Sequence, residues 1–404
     1  MPERVETIVI GAGQAGLSVS YHLTQRGREH VVLERGEIAE TWRTQRWDGF
    51  YLNTPNWSLQ LPGHHYAGPE PDRFAPLADA IAYLEAYGRA IAAPVRTGVE
   101  VTGIRARGDR GWLVEANGDA LETTNVVVAT GAFQRPHVPV VGDTNVFQLH
   151  AVDYRRPEQL PPGAVLVVGS GQTGCQIAEE LLGAGRTVYL SIGSCPWFPR
   201  RYRGRDLVGW AIDIGLMDET VDTLPSPAAR LACNPALSGN DDGHDCNPRT
   251  LASAGAILVG RVERVDAARV SFQRGVEENL AKGDEFEAKF KSRIDEYLQT
   301  SGTDAPEDDA ATVEQPVPPP RIEQLDLRGA EVGTILWTTG YRPDFGWIGV
   351  PLDDGYGWPA QQRGVTAHPG LYFVGLNWMH KRKSALLLGV GEDAEHVVAR
   401  LAGE

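Results

Sequence analysis

Cysteine is scarce in this chain, and nothing in its spacing looks like a paired redox centre. The 404 residues contain four cysteines, Cys175, Cys195, Cys233 and Cys246, with no Cys-x-x-Cys among them. That spacing excludes a disulfide reductase of the adjacent-cysteine type and makes free thiols in a cytoplasmic protein the expectation. Positive charge is short as well: 38 Lys and Arg stand against 53 Asp and Glu, a net charge of −15. Without a basic stripe to offset that balance, neither nucleic acid nor an anionic membrane surface is an expected partner. No apolar run approaches the ~20 residues that a membrane helix needs. A core-like strand begins just after Met1, so no secretory leader is expected. The polar stretch Asn240-Asp241-Asp242-Gly243-His244-Asp245 follows no ligand-spacing template and reads as a solvated loop, so no metal is expected.

What is present is ordinary soluble composition, 42% hydrophobic and 23% charged, on a chain long enough for about two or three domains. Its opening is the most informative stretch. Thr7-Ile8-Val9-Ile10 runs into Gly11-Ala12-Gly13-Gln14-Ala15-Gly16, then a helical pattern, then Val31-Val32-Leu33 closing on Glu34. Strand, glycine turn, helix, strand and acid in that order form a dinucleotide-binding unit. Gly11 makes the tight turn, Gly13 lets backbone N–H groups approach a pyrophosphate, and Gly16 lets helix and strand pack closely. The helix N-terminus favours the phosphate charge, and Glu34 can accept from a ribose hydroxyl.

The pattern returns. Val165-Leu166-Val167-Val168 leads into Gly169-Ser170-Gly171-Gln172-Thr173-Gly174, a helical run and Thr187-Val188-Tyr189-Leu190. Two such units imply two dinucleotides on one chain. The second copy has no acid in the slot of Glu34. Arg200 and Arg201 follow a little later and could take a 2′-phosphate, which favours NADP over NAD while leaving NAD open.

Between and beyond these units lie other signals. The stretch from Gly36 to Trp57 carries Trp42, Trp47 and Trp57 with Asn53 and Asn56, and reads as a long loop wrapped around a ligand. Asp79 to Ile91 has helical periodicity, as does the run through Phe286, Phe290, Ile294 and Leu298. Thr303 to Pro320 is acidic, then proline-rich, and reads as an exposed linker. Buried strands end on glycine turns at Ala129-Thr130-Gly131 and Thr339-Gly340-Tyr341. A last strand ends at Gly375, and Gly389 opens a final helix carrying Asp393, whose N–H groups suit the electron-rich end of a flavin ring.

Together these residues resemble the flavin-dependent monooxygenases of the two-dinucleotide type, which include the flavin-containing monooxygenases and, more distantly, the Baeyer–Villiger enzymes. Small bacterial members share stretches like Arg46-Trp47-Asp48, Asn53-Thr54-Pro55-Asn56 and Pro199 to Asp206. In the family's identifying sequence His150 and Tyr154 fit, while Thr144 and Val146 replace its Phe and Gly, and Tyr154-Arg155 is not the Trp-Pro of the Baeyer–Villiger version. A histidine at that junction reads as a hinge residue bonding backbone between domains.

The resemblance implies an α/β fold of two Rossmann-like three-layer domains, the NAD(P)H domain inserted in the FAD domain. Residues 1–157 and 323–404 would form the FAD domain and 158–322 the insert. It implies FAD and NADP as cofactors, with Arg35, Thr41 and Val101 among the FAD contacts besides the motifs above. It implies oxygenation of a small-molecule substrate with O2, on nitrogen, sulfur or a ketone, through a C4a-(hydro)peroxyflavin. Asn56, then Asn53, are the expected amide donors to the reacting flavin, since an amide donates and accepts without titrating. Asn377, beside Trp378, is expected near the flavin ring, and substrate contacts are expected from 207–260 and 380–388. An NAD(P)H oxidase, a ferredoxin-type reductase or a non-catalytic flavin-bound subunit would use the same two folds. A homodimer is left open.

Overall fold

The computed structural model describes residues 2–108, 111–307 and 319–404. Two sheets, one mixed and one parallel, organise the chain, as the doubled strand–turn–helix pattern requires. In the first, the central strand Glu3–Ile10 lies between His30–Leu33 and Asp119–Val128, both parallel to it. Val95–Arg96 extends one edge, Leu371–Phe373 also pairs with Asp119–Val128, and a meander of Val101–Ala106 and Trp112–Ala116 completes the sheet. In the second, five parallel strands run in the order 147–150, 332–337, 164–168, 188–191 and 257–259.

The pleat explains why these runs are apolar throughout. Val9 faces the helices Gln14–Gln25 and Val390–Ala402, while Ile8 and Ile10 face the meander, and all three are buried. Val165 and Val167 turn towards the helix Gln172–Gly183, whereas Leu166 and Val168 pack on the small antiparallel sheet of Val262–Val265, Arg269–Phe272 and Gln324–Asp326. A strand buried on both faces carries no alternation, and each such side chain contributes roughly 1.5–3 kcal/mol on burial. The helix-side faces of both sheets share one continuous core through Ala151, Tyr154 and Leu160.

The architecture is therefore α/β with two Rossmann-like units, the second inserted in the first. The insert is larger than the boundaries at 157/158 and 322/323 suggest. Phe147–His150 and Val332–Trp337 pair within the second sheet, not the first. Val332–Trp337 is buried on both faces and needs two parallel neighbours. Ala164–Val168 and Phe147–His150 supply them, while the corresponding place in the first sheet is taken by Leu371–Phe373. The two periodic helices run over Leu77–Ala90 and Val276–Ser301. Much of the expected linker, 308–318, lies outside the described residues.

The chain passes between units twice, and the two crossings pair with each other: Tyr341 lies opposite Pro136 and Arg342 opposite Arg135. His150 fastens this crossing. Its Nδ1 accepts from the Val152 N–H at 3.1 Å, so the proton sits on Nε2, which donates to the Gly340 carbonyl at 3.1 Å. Burial holds the imidazole below its ordinary value of 6.5. A histidine kept neutral in the fold stabilises fully above that value, and the contribution is lost as the pH falls from there towards the depressed folded-state value. His150→Gln keeps a donor and an acceptor without titrating. Its melting temperature should fall less between pH 7.5 and 5.5 than that of the parent; an equal fall in both would remove this role from His150.

Candidate functional site

Both glycine turns lead towards one cavity of about 800 Å³. At the first turn, a side chain on Gly16 would stand 1.8 Å from the Gly11 carbonyl oxygen, and one on Gly11, at φ +104°, would strike the Ala129 carbonyl. Gly13 has nothing within 4 Å of the position a Cβ would take, which is the open face a pyrophosphate needs. The helix that starts after it has no side-chain cap, so its first N–H groups stay available. Glu34 is buried and accepts from the Ala12 N–H at 2.7 Å and the Gly36 N–H at 3.1 Å. A buried carboxylate fixed by backbone donors at the end of the second strand fits a ribose hydroxyl.

The second turn repeats the geometry. A side chain on Gly174 would stand 2.0 Å from the Gly169 carbonyl oxygen, and Gly169 adopts φ +117°. The first residue of each helix then plays the same part. Gln14 accepts from Trp42 Nε1 at 3.1 Å and donates to the Ala385 carbonyl at 3.0 Å. Gln172 accepts from Asn53 at 3.2 Å and donates to the Pro235 carbonyl at 2.9 Å. Each glutamine thereby pins two distant loops around the mouth of its turn.

Of the residues expected at the nucleotides, Gly11, Gly13, Gln14, Ala15, Glu34, Arg35, Thr41, Trp42, Trp47, Asn53, Val101, Ala129, Thr130, Gly131 and Gly375 line the cavity. From the second unit Gln172, Thr173, Gly340 and Tyr341 line it too. Gly16, Gly169 and Gly174 lie behind the turns, where they are packing residues, and Gly171 is the N-cap of the second helix. Thr339 turns its hydroxyl to the His137 carbonyl; Thr338, its neighbour, lines the cavity instead. Asn377 and Trp378 line it as expected. Trp378 is left-handed at φ +55°, a strained conformation for a bulky residue, and lies under the Arg382 guanidinium at 4.6 Å.

Several expectations are corrected. Asn56 does not reach the cavity: the short turn Asn56–Ser58 tucks its amide beneath 70–73, where Nδ2 donates to the Glu70 carbonyl at 2.9 Å. Asn53 does reach it, but its amide is held between Gln172 and Gln176, with Gln176 Nε2 at 2.6 Å. Arg200 is buried and serves structure: it pairs with Asp206 at 2.8 Å, donates to the Asn53 carbonyl at 2.9 Å and covers the Phe74 ring. Arg201 donates to the carbonyls of Gly243 and Asp242. Neither arginine lines the cavity, and the Arg200 guanidinium is taken up by Asp206. Gly389 and Asp393 stand off the cavity, Asp393 beside Arg363 at 3.4 Å, with burial raising its carboxyl. In the stretch read as a loop, His244 turns to Glu179 and Asp245 accepts from the Arg200 backbone N–H.

Two residues are additions. Arg46 lines the cavity with its guanidinium over Trp42, Phe50 and Phe133 at 5.3, 5.5 and 5.8 Å. Its Nη1 donates to the Gln45 carbonyl at 3.0 Å, no carboxylate pairs with it among the described residues, and burial lowers its pKa. Arg261 follows the strand Ile257–Val259, and its Nη2 is 3.2 Å from the position of a Cβ on Gly193, just past the end of Val188–Ser191. By strand register Ile192 corresponds to Glu34, so Arg261 lies one residue beyond that place, beside Gly193. Its signal lies on the neighbouring strand, outside the fingerprint. Beyond the turns, Phe198, Leu207, Val208, Leu216, Met217 and Leu237 close one end of the cavity with apolar surface.

The family model for pyridine nucleotide-disulphide oxidoreductases matches residues 8–208. A CzcO-like oxidoreductase of Geobacillus kaustophilus is 31% identical across 98% of this chain and 98% of its own length. An indole-3-pyruvate monooxygenase of rice (Oryza sativa subsp. japonica) is 27% identical across 74% of this chain and 78% of its own. In fold, the chain is similar to a flavin-containing monooxygenase from Stenotrophomonas maltophilia, with a TM-score of 0.66, 19% identity and 99% of both chains covered. It is also similar to OTEMO in its complex with FAD and NADP, with a TM-score of 0.57, 16% identity, 100% of this chain and 86% of the other.

The first turn yields a direct prediction. Glu34→Ala removes the ribose acceptor and frees the Ala12 N–H, so FAD should bind about 2 kcal/mol more weakly, roughly thirty-fold in Kd. Fluorescence titration of the deflavinated protein measures it, and an unchanged Kd would contradict the assignment.

Proposed function

This chain belongs to the family of the CzcO oxidoreductases, and on that footing we propose that it is a flavoprotein monooxygenase placing one atom of O2 on a small, largely apolar nucleophile or ketone. FAD and NADP are its cofactors, FAD on the first glycine turn and the nicotinamide nucleotide on the second. The observation that carries this reading is that both turns serve one cavity whose far end is walled by Phe198, Leu207, Val208, Leu216, Met217 and Leu237. Two nucleotide sites and an apolar pocket in one enclosure suit hydride delivery followed by oxygenation without release of the reacting species.

When bound and reduced by NADPH, the flavin supplies the reaction with O2. The chain's own groups bind, orient and keep water out. Glu34 holds the ribose, and the N–H groups after Gly13 take the pyrophosphate. Gln14, locked between Trp42 and Ala385, joins the flavin turn to the C-terminal loop that carries Asn377 and Trp378. Arg46 presents to the cavity a positive charge with no carboxylate partner among the described residues. Asn53 is a positioning residue: tied to Gln172 and Gln176, it holds the aromatic loop of the first unit against the helix of the second. Arg261, beside Gly193, is the candidate for the 2′-phosphate of NADPH, in place of Arg200 and Arg201.

Two measurements test this. Arg261→Ala should raise the KM for NADPH about ten- to a hundred-fold and leave that for NADH unchanged, since a charge-assisted contact is worth roughly 1.5–3 kcal/mol; equal effects on both would reject the role. Asn53→Ala should divert NADPH consumption from oxygenated product to hydrogen peroxide in the presence of a thioether, an amine or a ketone. Unchanged coupling would show that this bridge does not seal the cavity.

A further inference from the structure

Two of the four cysteines meet in space although the sequence separates them. Cys195 follows the strand Val188–Ser191, and Cys233 lies 38 positions later, yet their Sγ atoms are 2.9 Å apart. The backbones that carry them run side by side: the Ala236 N–H donates to the Pro196 carbonyl at 2.8 Å, and Trp197 bridges to Ala236. Cys195 is buried and Cys233 exposed, which sets an accessible thiol in front of a shielded one. The neighbouring Cys195 thiol holds Cys233 below the ordinary thiol range, while the contact with Cys233 and burial push Cys195 up. Cys175 and Cys246 are buried, with pKa values raised by burial.

The place of the pair is the second, independent observation. The Cβ of Cys233 stands 3.6 Å from where a Cβ on Gly171 would be, whereas the equivalent Gly13 has nothing within 4 Å. The strap 233–237 is also fastened to the helix that opens at Gly171, through Gln172 Nε2 to the Pro235 carbonyl and Gln176 Nε2 to the Leu237 carbonyl, each at 2.9 Å. Of the two turns, only the second has a cysteine side chain against its middle glycine.

We propose that Cys195 and Cys233 form a reversible disulfide, made by hydrogen peroxide, that fixes the 233–237 strap over the second glycine turn and weakens pyridine-nucleotide binding there. The nucleotide half of this statement rests on the proposed function; the thiol chemistry does not. The Cys233 thiolate attacks one oxygen of peroxide, the O–O bond breaks, and the departing hydroxide takes a proton to become water. Cys195, giving up its proton, then attacks the Cys233 sulfur, and the S–O bond breaks with loss of a second water. Two thiols are oxidised by two electrons and one peroxide is reduced to two waters. A thiol reductant restores the open strap.

The test uses the full-length, FAD-loaded protein exposed to equimolar hydrogen peroxide. Mapping by mass spectrometry after alkylation should find a Cys195–Cys233 linked peptide lighter by two hydrogens, absent after dithiothreitol, with Cys175 and Cys246 still alkylated on unfolding. Calorimetric titration with NADP+ should give a Kd about ten-fold higher for the oxidised form, reversed by dithiothreitol. Cys233→Ser and, separately, Cys195→Ser should give the same Kd with and without peroxide. Four alkylated thiols after peroxide, or Cys233 carried to a sulfinic acid without a link, would overturn the disulfide. A linked protein with unchanged Kd would overturn the control of binding. If NADP+ bound neither form, the assignment of the second turn would fail and the control with it, while the linked peptide would still decide the thiol chemistry.

Discussion

A side chain on Gly16 would be driven to 1.8 Å from the Gly11 carbonyl, and one on Gly174 to 2.0 Å from that of Gly169. Everything functional here depends on those two missing Cβ atoms. They let a helix start directly against the end of a buried strand, so that its uncapped N–H groups and the positive end of its dipole face the cavity. A helix displaced by even one methyl group would carry Gln14 or Gln172 away from the loops each of them pins. The aromatic loop, the C-terminal segment and the strap at 233–237 are all hung from these two glutamines.

The two copies then diverge where chemistry is decided. The first turn is open at Gly13 and backed by a buried carboxylate, Glu34; the second has Cys233 against Gly171 and Arg261 beside Gly193, one residue past the place of the acid. On the proposed reading, one duplicated unit seats FAD and the other the nicotinamide nucleotide. The crossing at 135–136 and 341–342, fastened by neutral His150, keeps both facing the same cavity.

Local rules made most of this legible in the sequence. Glycine spacing, apolar strands and the acid at Glu34 are constraints between near neighbours, and the units they describe form as expected. Misread features depend on long-range partners. The family resemblance gives Val332–Trp337 to the FAD domain, but strand pairing is settled by which sheet still has a place for it. Arg200 looked free because Asp206, Asn53 and Phe74 are brought to it only by folding. Asn56 and Asn53 are nearly adjacent in one motif, yet a single short turn sends them to opposite sides of the loop. The thiol pair was invisible for the same reason, since no adjacent-cysteine spacing announces it.

The central claim, that reduced flavin in this cavity hands one oxygen atom to an organic molecule, is tested most directly with isotopically heavy O2. Protein, FAD, NADPH and a simple aryl methyl thioether are incubated under the labelled gas, and the sulfoxide is weighed by mass spectrometry against NADPH consumed. The account predicts one heavy oxygen in the product for each NADPH oxidised. Consumption of NADPH with the label recovered only in hydrogen peroxide, for thioether, amine and ketone alike, would contradict it.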